Sequence, residues 1–319
     1  MGDAAGIGPE TIVKAWPQID RAQAQVVVVG DAQWITETAR HHAPGLKILA
    51  FKDWNQMPTT DAEGIRVYDF APLDRQDFSL GKPHAGAGDL AYKCIVEGAR
   101  LAQEGAVAAL VTAPICKESL HLAGHHFDGH TGLLAHLTGT TDYRMTFSTR
   151  ALRILHVTAH MPLAQACREI TEERVFRSIQ IGQEHLVKLG IDQPRIAVCG
   201  LNPHAGEAGI FGREDIDQIL PAIRRAQNRG WNVVGPEPGD AVFIAAFKGK
   251  YDLVVAQYHD QGHIPGKLVA FDQGVNVTLG LPFVRCSPDH GTAFDIAGKG
   301  VAKEGNLIEA IHYALLLLR

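Results

Sequence analysis

Short β-branched runs recur along the chain, each followed by a longer segment with helical periodicity, and this alternation restricts the chain to an α/β fold. Parallel strands need crossover helices to join them, so the pattern reads as a mainly parallel sheet. Strands are expected at 25–29, 106–112, 145–148, 152–158, 195–200, 253–257 and 275–278. Residues 89–104 place Leu90, Cys94, Ile95 and Leu101 at helical spacing, and residues 171–189 do the same with Val175, Ile179, Leu186 and Leu189. The Pro- and Gly-rich stretches 70–88 and 235–239 read as loops, and neither is long or polar enough for a flexible interdomain linker. At 319 residues the chain has the length of about two ordinary domains, with no internal repeat.

Composition narrows the function. With 46% hydrophobic residues the chain can bury a sizeable core, which excludes extended disorder. Thirty basic against 35 acidic residues give a net charge of -5, so the chain lacks the positive field that nucleic acid or anionic lipid requires. A small molecule is the expected partner. No apolar run approaches the roughly 18 residues of a membrane span, and Met1-Gly2-Asp3 does not open a secretory signal, so a cytoplasmic location is expected. Cys94, Cys116, Cys167, Cys199 and Cys286 contain no C-x-x-C pair and read as reduced thiols.

Three histidines follow expected strands: His160, His204 and His259. Ligands of open α/β sheets bind beyond the carboxyl ends of the strands, and imidazole is a common ligand of zinc and similar ions, so a three-histidine metal site is one reading. Chance placement among 16 histidines is the other. Asn202-Pro203-His204-Ala205-Gly206-Glu207 and Tyr258-His259-Asp260-Gln261-Gly262 supply turn residues and carboxylates able to orient imidazoles. His121 and His125 have i,i+4 spacing but lack the Glu of a zinc-protease motif, and read as solvated or capping residues. Gly129-His130-Thr131-Gly132 precedes a helix-compatible run; it suits an anion such as phosphate, or simply a helix N-cap at Thr131. Gly2 to Glu10 forms a glycine-rich turn entering a helix, and Asp289 to Gly300 a glycine-rich polar loop open to a nucleotide. Lys267 and Arg285 flank Asn276 and can pair with phosphate or carboxylate.

Through GDAAGIGPE, TAPICK, GHT, GLNPHAGE, YHDQG, VNVTLGLPFVR and DHGTAFDIAGKG the sequence resembles the 4-hydroxythreonine-4-phosphate dehydrogenase family almost end to end. GIGPE and HGTAFDIAGKG are also similar to isopropylmalate and isocitrate dehydrogenases, which bind NAD without a Rossmann fingerprint. The resemblance implies their two-domain fold with mainly parallel sheets and an active site in the interdomain cleft. Residues 1–120 plus 285–319 would form a first α/β domain contributing to NAD binding. Residues 121–284 would form a second, carrying metal and substrate ligands and the dimer interface. It implies a divalent metal on His160, His204 and His259, zinc foremost with Mg, Mn or Co as alternatives, with ligands from both subunits of a homodimer. It further implies substrate binding by His130, Thr131, Lys267, Asn276 and Arg285, and NAD binding by Asp289, His290, Gly291, Thr292 and Asp295. Lys267 and Asp240 are the candidates for proton transfer, with surface capping the alternative for Asp240. Ala4, Cys116, Cys286 and Pro288 depart from the family's usual Pro, Asn, Thr and Val, and the strand that ordinarily precedes the glycine turn is absent.

His263-Ile264-Pro265-Gly266-Lys267-Leu268 after YHDQG, with Ala87 to Tyr92, resembles the branch acting on 4-phospho-D-threonate and 4-phospho-D-erythronate. The expected reaction is metal-dependent, NAD-linked oxidation of the C3 hydroxyl with decarboxylation to dihydroxyacetone phosphate, the metal acting as Lewis acid. Alternatives are 4-hydroxythreonine-4-phosphate oxidation in vitamin B6 synthesis, a cis-dihydrodiol dehydrogenase, a phosphate acyltransferase and a catalytically silent metabolite binder.

Overall fold

The computed structural model describes residues 1–20, 23–58, 63–270 and 273–319. The chain divides into two compact units, Met1–Thr141 with Leu281–Leu318, and Asp142–Gly280.

The first unit contains α1 (Gly8–Ala15), β1 (Val27–Gly30), α2 (Ala32–His42), β2 (Ile48–Phe51), β3 (Ile65–Asp69), α3 (Ala85–Gln103), β4 (Ala109–Val111), α4 (Lys117–Leu122), α5 (His130–Thr138), β11 (Val284–Pro288) and α11 (Gly305–Leu316). Its three-stranded sheet runs β1-β3-β2, all parallel, and β4 pairs parallel with β11. Val13, Ile35, Ile65 and Val67 fill a core closed by Leu307 and Ile311 of α11. Asp31 caps α2 by accepting from the Trp34 N–H at 2.7 Å, while its second carboxylate oxygen accepts from the Leu73 N–H at 2.7 Å. Gly88 lets α3 lie against α4, because a Cβ there would stand 2.0 Å from the Ser119 carbonyl oxygen.

The second unit contains β5 (Arg144–Ser148), β6 (Arg153–His156), α6 (Leu163–Glu169), α7 (Glu172–Lys188), β7 (Arg195–Cys199), α8 (Leu220–Gln227), β8 (Asn232–Glu237), α9 (Gly239–Phe247), β9 (Leu253–Ala256), α10 (His259–Ala270) and β10 (Val275–Leu279). Its strands run in the order β10-β5-β6-β9-β7-β8. The four from β6 to β8 are parallel, and β5 is antiparallel to both neighbours. Every residue of β9 is buried, as a parallel strand covered on both faces requires. The expected helix 171–189 forms as α7, with Thr171 capping it through the Arg174 N–H and Glu172 and Glu173 in the first turn. All five cysteines are free thiols. Among the described residues no helix is long and apolar enough to cross a membrane.

Candidate active site

The three strand-end histidines lie at one edge of the second unit's sheet. Their strands β6, β9 and β7 are adjacent and parallel, with Ile154 opposite Val254 and Ile196 opposite Leu253. His160, His259 and His204 therefore follow the carboxyl ends of three neighbouring strands, the position where open α/β sheets hold ligands. His160 and His259 have ring centroids 5.4 Å apart. That spacing suits two imidazoles reaching one ion through bonds of about 2.0–2.1 Å. His259 Nδ1 meets Asp260 Oδ1 at 2.7 Å, which leaves Nε2 to bind metal. The His259 ring stacks on His263 at 4.1 Å, and His263 Nδ1 lies 3.1 Å from His156 Nε2. His156 Nδ1 lies 3.1 Å from the Met145 carbonyl, which only accepts, so Nδ1 donates. Among the described residues no group of three His, Cys, Asp or Glu side chains is placed to hold an ion within the chain. The pair His160–His259 comes together; the triad does not close in a single chain.

His204 sits on a strained turn. Residues 204 to 208 all have left-handed backbone, with φ of 50° at His204, 52° at Ala205, 81° at Gly206, 41° at Glu207 and 55° at Ala208. Each non-glycine residue in this region costs on the order of 1 kcal/mol or more. The buried Asp215 carboxylate anchors the start of the turn, accepting from the Leu201 N–H at 2.8 Å and the Asn202 N–H at 3.1 Å. Asp215 is also the first residue of a π-helical turn, Asp215–Ile219. Sequence reasoning misses Asp215, because no periodicity or motif distinguishes it from a surface acid.

Two further candidates lie on α10 and β10 of the same unit. Lys267 follows His259 and His263 at i+4 spacing on one face of α10. Asn276 in β10 pairs in register with Phe147, and its buried Oδ1 has no hydrogen-bond partner among the described residues. Asp240 is exposed in the first turn of α9, where a carboxylate complements the helix dipole.

In the first unit, α5 begins at His130. Its N-cap is Gly129, at φ 131°, so Thr131 is inside the helix and does not cap it. His130 Nε2 is buried without a hydrogen-bond partner among the described residues. Burial, and then the nearby Arg285 charge, hold the His130 imidazole well below its ordinary pKa. Arg285, buried in β11, donates from Nη2 to Thr112 Oγ1 at 2.7 Å, and burial lowers its pKa to about 10. A guanidinium kept out of water beside a neutral imidazole and a helix N-terminus suits a dianion such as phosphate. His125, expected to be solvated or capping, instead bonds Asp89 at 3.0 Å and stacks on Tyr92 at 3.7 Å.

The loop from Asp289 to Asp295 packs on the glycine-rich N-terminal turn. The Ile7 N–H donates to the Thr292 carbonyl at 3.0 Å, and a Cβ on Gly6 would meet the Thr292 Cβ at 2.8 Å. Gly291 faces open space, Ala293 is left-handed at φ 43°, and His290 Nε2 is buried without a hydrogen-bond partner among the described residues. Glu10 of α1 holds the end of this segment through the Ala302 N–H at 3.0 Å. An open glycine backbone beside a buried imidazole nitrogen fits a dinucleotide.

The model of the pyridoxal phosphate biosynthetic protein PdxA family matches residues 22–314. A D-threonate 4-phosphate dehydrogenase of Salmonella typhimurium is 46% identical, covering 99% of this chain and 97% of that protein. A 4-hydroxythreonine-4-phosphate dehydrogenase of Beijerinckia indica is 43% identical over 99% of this chain and 93% of its own length. The crystal structure of a 4-hydroxythreonine-4-phosphate dehydrogenase from Klebsiella pneumoniae superposes with a TM-score of 0.88 at 46% identity, covering 99% of this chain and 96% of that one. By full-length match in sequence and in fold, this α/β chain belongs to the PdxA family of dehydrogenases and acts on a CH–OH group.

Proposed function

We propose that the chain oxidises the C3 hydroxyl of 4-phospho-D-threonate or 4-phospho-D-erythronate with NAD and releases CO2 to give dihydroxyacetone phosphate. The observation that carries this reading is the shared sheet edge of His160, His204 and His259, with His160 and His259 already paired at 5.4 Å. These histidines would hold a divalent ion, zinc foremost, which when bound supplies Lewis acidity toward a substrate oxygen. The neutral His130, Thr131 at the start of α5 and the buried Arg285 bind the phosphate, while Asn276 offers its buried Oδ1 to a substrate hydroxyl. Asp289, His290, Gly291, Thr292 and Asp295 form the NAD loop, with His290 Nε2 hydrogen-bonding the dinucleotide.

The chemistry balances on two bonds. Hydride leaves C3 for NAD while the hydroxyl proton passes to a base; the C1–C2 bond of the resulting β-keto acid then breaks, CO2 departs, and C2 is protonated. Lys267, on the α10 face that carries His259, is the residue we assign to proton transfer, with Asp240 in the first turn of α9 the second candidate.

The same reading makes the enzyme a homodimer with shared sites. Ile210 and Phe211 beside the His204 turn, Ile244 and Phe247 on α9, and Ile264 and Leu268 on α10 are exposed, Leu268 at 81%. Large apolar side chains on the His204 turn, α9 and the histidine-bearing α10 fit cover by a second copy, which would complete the triad.

The test is NADH formation by zinc- or manganese-loaded enzyme given 4-phospho-D-threonate, 4-phospho-D-erythronate and 4-phosphohydroxy-L-threonine separately. Faster turnover of either sugar acid supports the reading. Preference for the amino substrate moves the enzyme to 4-hydroxythreonine-4-phosphate oxidation, the activity in the name of the Beijerinckia relative, and silence on all three refutes both.

A further inference from the structure

We infer that Asp215 is a positioning residue for His204, the buried anion that keeps the left-handed turn wound so that the imidazole is presented at the sheet edge. The inference rests on the reading of His204 as a metal ligand. Asp215 is wholly buried, and its carboxylate gathers three donors from the segment that enters the turn: Leu201 N–H at 2.8 Å, Asn202 N–H at 3.1 Å and Asn202 Nδ2 at 2.9 Å. Asn202 Nδ2 also reaches Glu214 Oε2 at 2.8 Å, tying the entering strand end to the residue before the π-helical turn.

The backbone closes tightly around this carboxylate. A Cβ on Gly200 would stand 2.8 Å from Asp215 Oδ1, and one on Gly206, inside the turn, 3.4 Å from Oδ2. Backbone bonds also close the two ends of the turn, from Ala205 to Asn202 at 3.1 Å, Ile210 to Glu207 at 3.1 Å and Phe211 to Gly206 at 3.2 Å. Four of its five left-handed residues carry a Cβ, so the conformation persists only because the surroundings impose it. Asp215 is the buried group that touches both the entry and, across Gly206, the turn itself.

Asp215→Asn tests this with little change of shape, because the amide keeps one acceptor but points its NH2 at an N–H it formerly accepted from. Cobalt and zinc affinity of the full-length apoenzyme is measured by calorimetry, and tryptic cleavage after the exposed Arg213 is followed without metal by mass spectrometry. We expect D215N to bind metal about 10- to 100-fold more weakly, the range typical of residues that support a ligand, with faster cleavage at Arg213 and unchanged far-UV circular dichroism. Adding Ala208→Gly, which adopts φ 55° without steric cost, recovers part of the affinity. If His204→Ala leaves metal binding intact, the metal reading itself falls. If H204A abolishes binding while D215N binds like the wild type, the positioning role alone is overturned. Weak binding by D215N with no recovery from A208G and no change at Arg213 also overturns it, because Asp215 would then support the fold without holding the turn.

Discussion

Replacing Arg285 by Met separates the stability of the fold from the binding of its substrate. Arg285 is 3% exposed, and burial lowers its guanidinium pKa to about 10, more than two units below its ordinary value. Each pKa unit is worth about 1.4 kcal/mol, so holding this cation in the folded chain costs roughly 3 kcal/mol at every pH below about 10. The sign follows from the direction of the shift: a cation with a depressed folded pKa destabilises the fold while charged, and the penalty fades only as pH rises above about 10. Met fills a similar volume without charge. It forfeits the hydrogen bonds of the guanidinium, the one to Thr112 Oγ1 among them, each worth about 1 kcal/mol, so the net expectation is a variant more stable by roughly 1 kcal/mol. Urea unfolding without ligand reads this as a higher midpoint. On the proposed phosphate role the same change removes charge-assisted bonds to the substrate, each worth about 1.5–3 kcal/mol, so KM is expected to rise roughly ten- to a hundredfold. A midpoint lower than that of the wild type would refute the burial argument, and an unchanged KM would remove Arg285 from the phosphate site.

Two other changes probe separate links. His185 is buried in α7, and burial followed by the charges of Arg153 and Lys188 lowers its pKa to about 3. Its contribution is complete above the unfolded value of about 6.5 and is lost as pH falls toward 3, on the order of 2 kcal/mol by pH 5. His185→Gln, which cannot protonate, should flatten the acid limb of the stability curve between pH 6.5 and 3; an unchanged limb would show that other groups set it. Ile264→Asp with Leu268→Asp on α10 should yield monomers by light scattering, with native circular dichroism and much weaker metal binding. A dimer that survives the double change would place the subunit contact elsewhere.

The parts of the fold that follow local rules are legible in the sequence. Helical spacing finds α3 and α7, and Thr171 caps α7 as such residues do. Strands β2, β3, β8 and β11 escape the reading, and for β2, β8 and β11 the reason is physical. β2 is an apolar run of only four residues, ILAF, too short for periodicity to tell a strand from a helical segment. β8 contains Gly235 and Pro236, which read as a loop and are tolerated because β8 is the last strand at that side of its sheet. β11 carries a buried arginine where a hydrophobic residue is the usual choice. His160, His204 and His259 are visible one by one because each follows a short apolar run. Their convergence is not, since the order β6-β9-β7 is a nonlocal pairing that leaves no trace in chain order.

The residues that local rules miss share one property, and it points to the site. A buried guanidinium at Arg285, a buried imidazole nitrogen without a bond at His130 and four non-glycine residues in left-handed backbone around His204 each raise the free energy of the folded chain. Other elements follow the ordinary rules: β9 is wholly apolar, and α2 and α7 have their expected caps. A packed core gains nothing by retaining such costs, whereas a site that holds a phosphate dianion and a metal ion, as proposed for this chain, recovers them on binding. The unfavourable local choices at Arg285, His130 and the His204 turn therefore fit the proposed site better than a purely structural role.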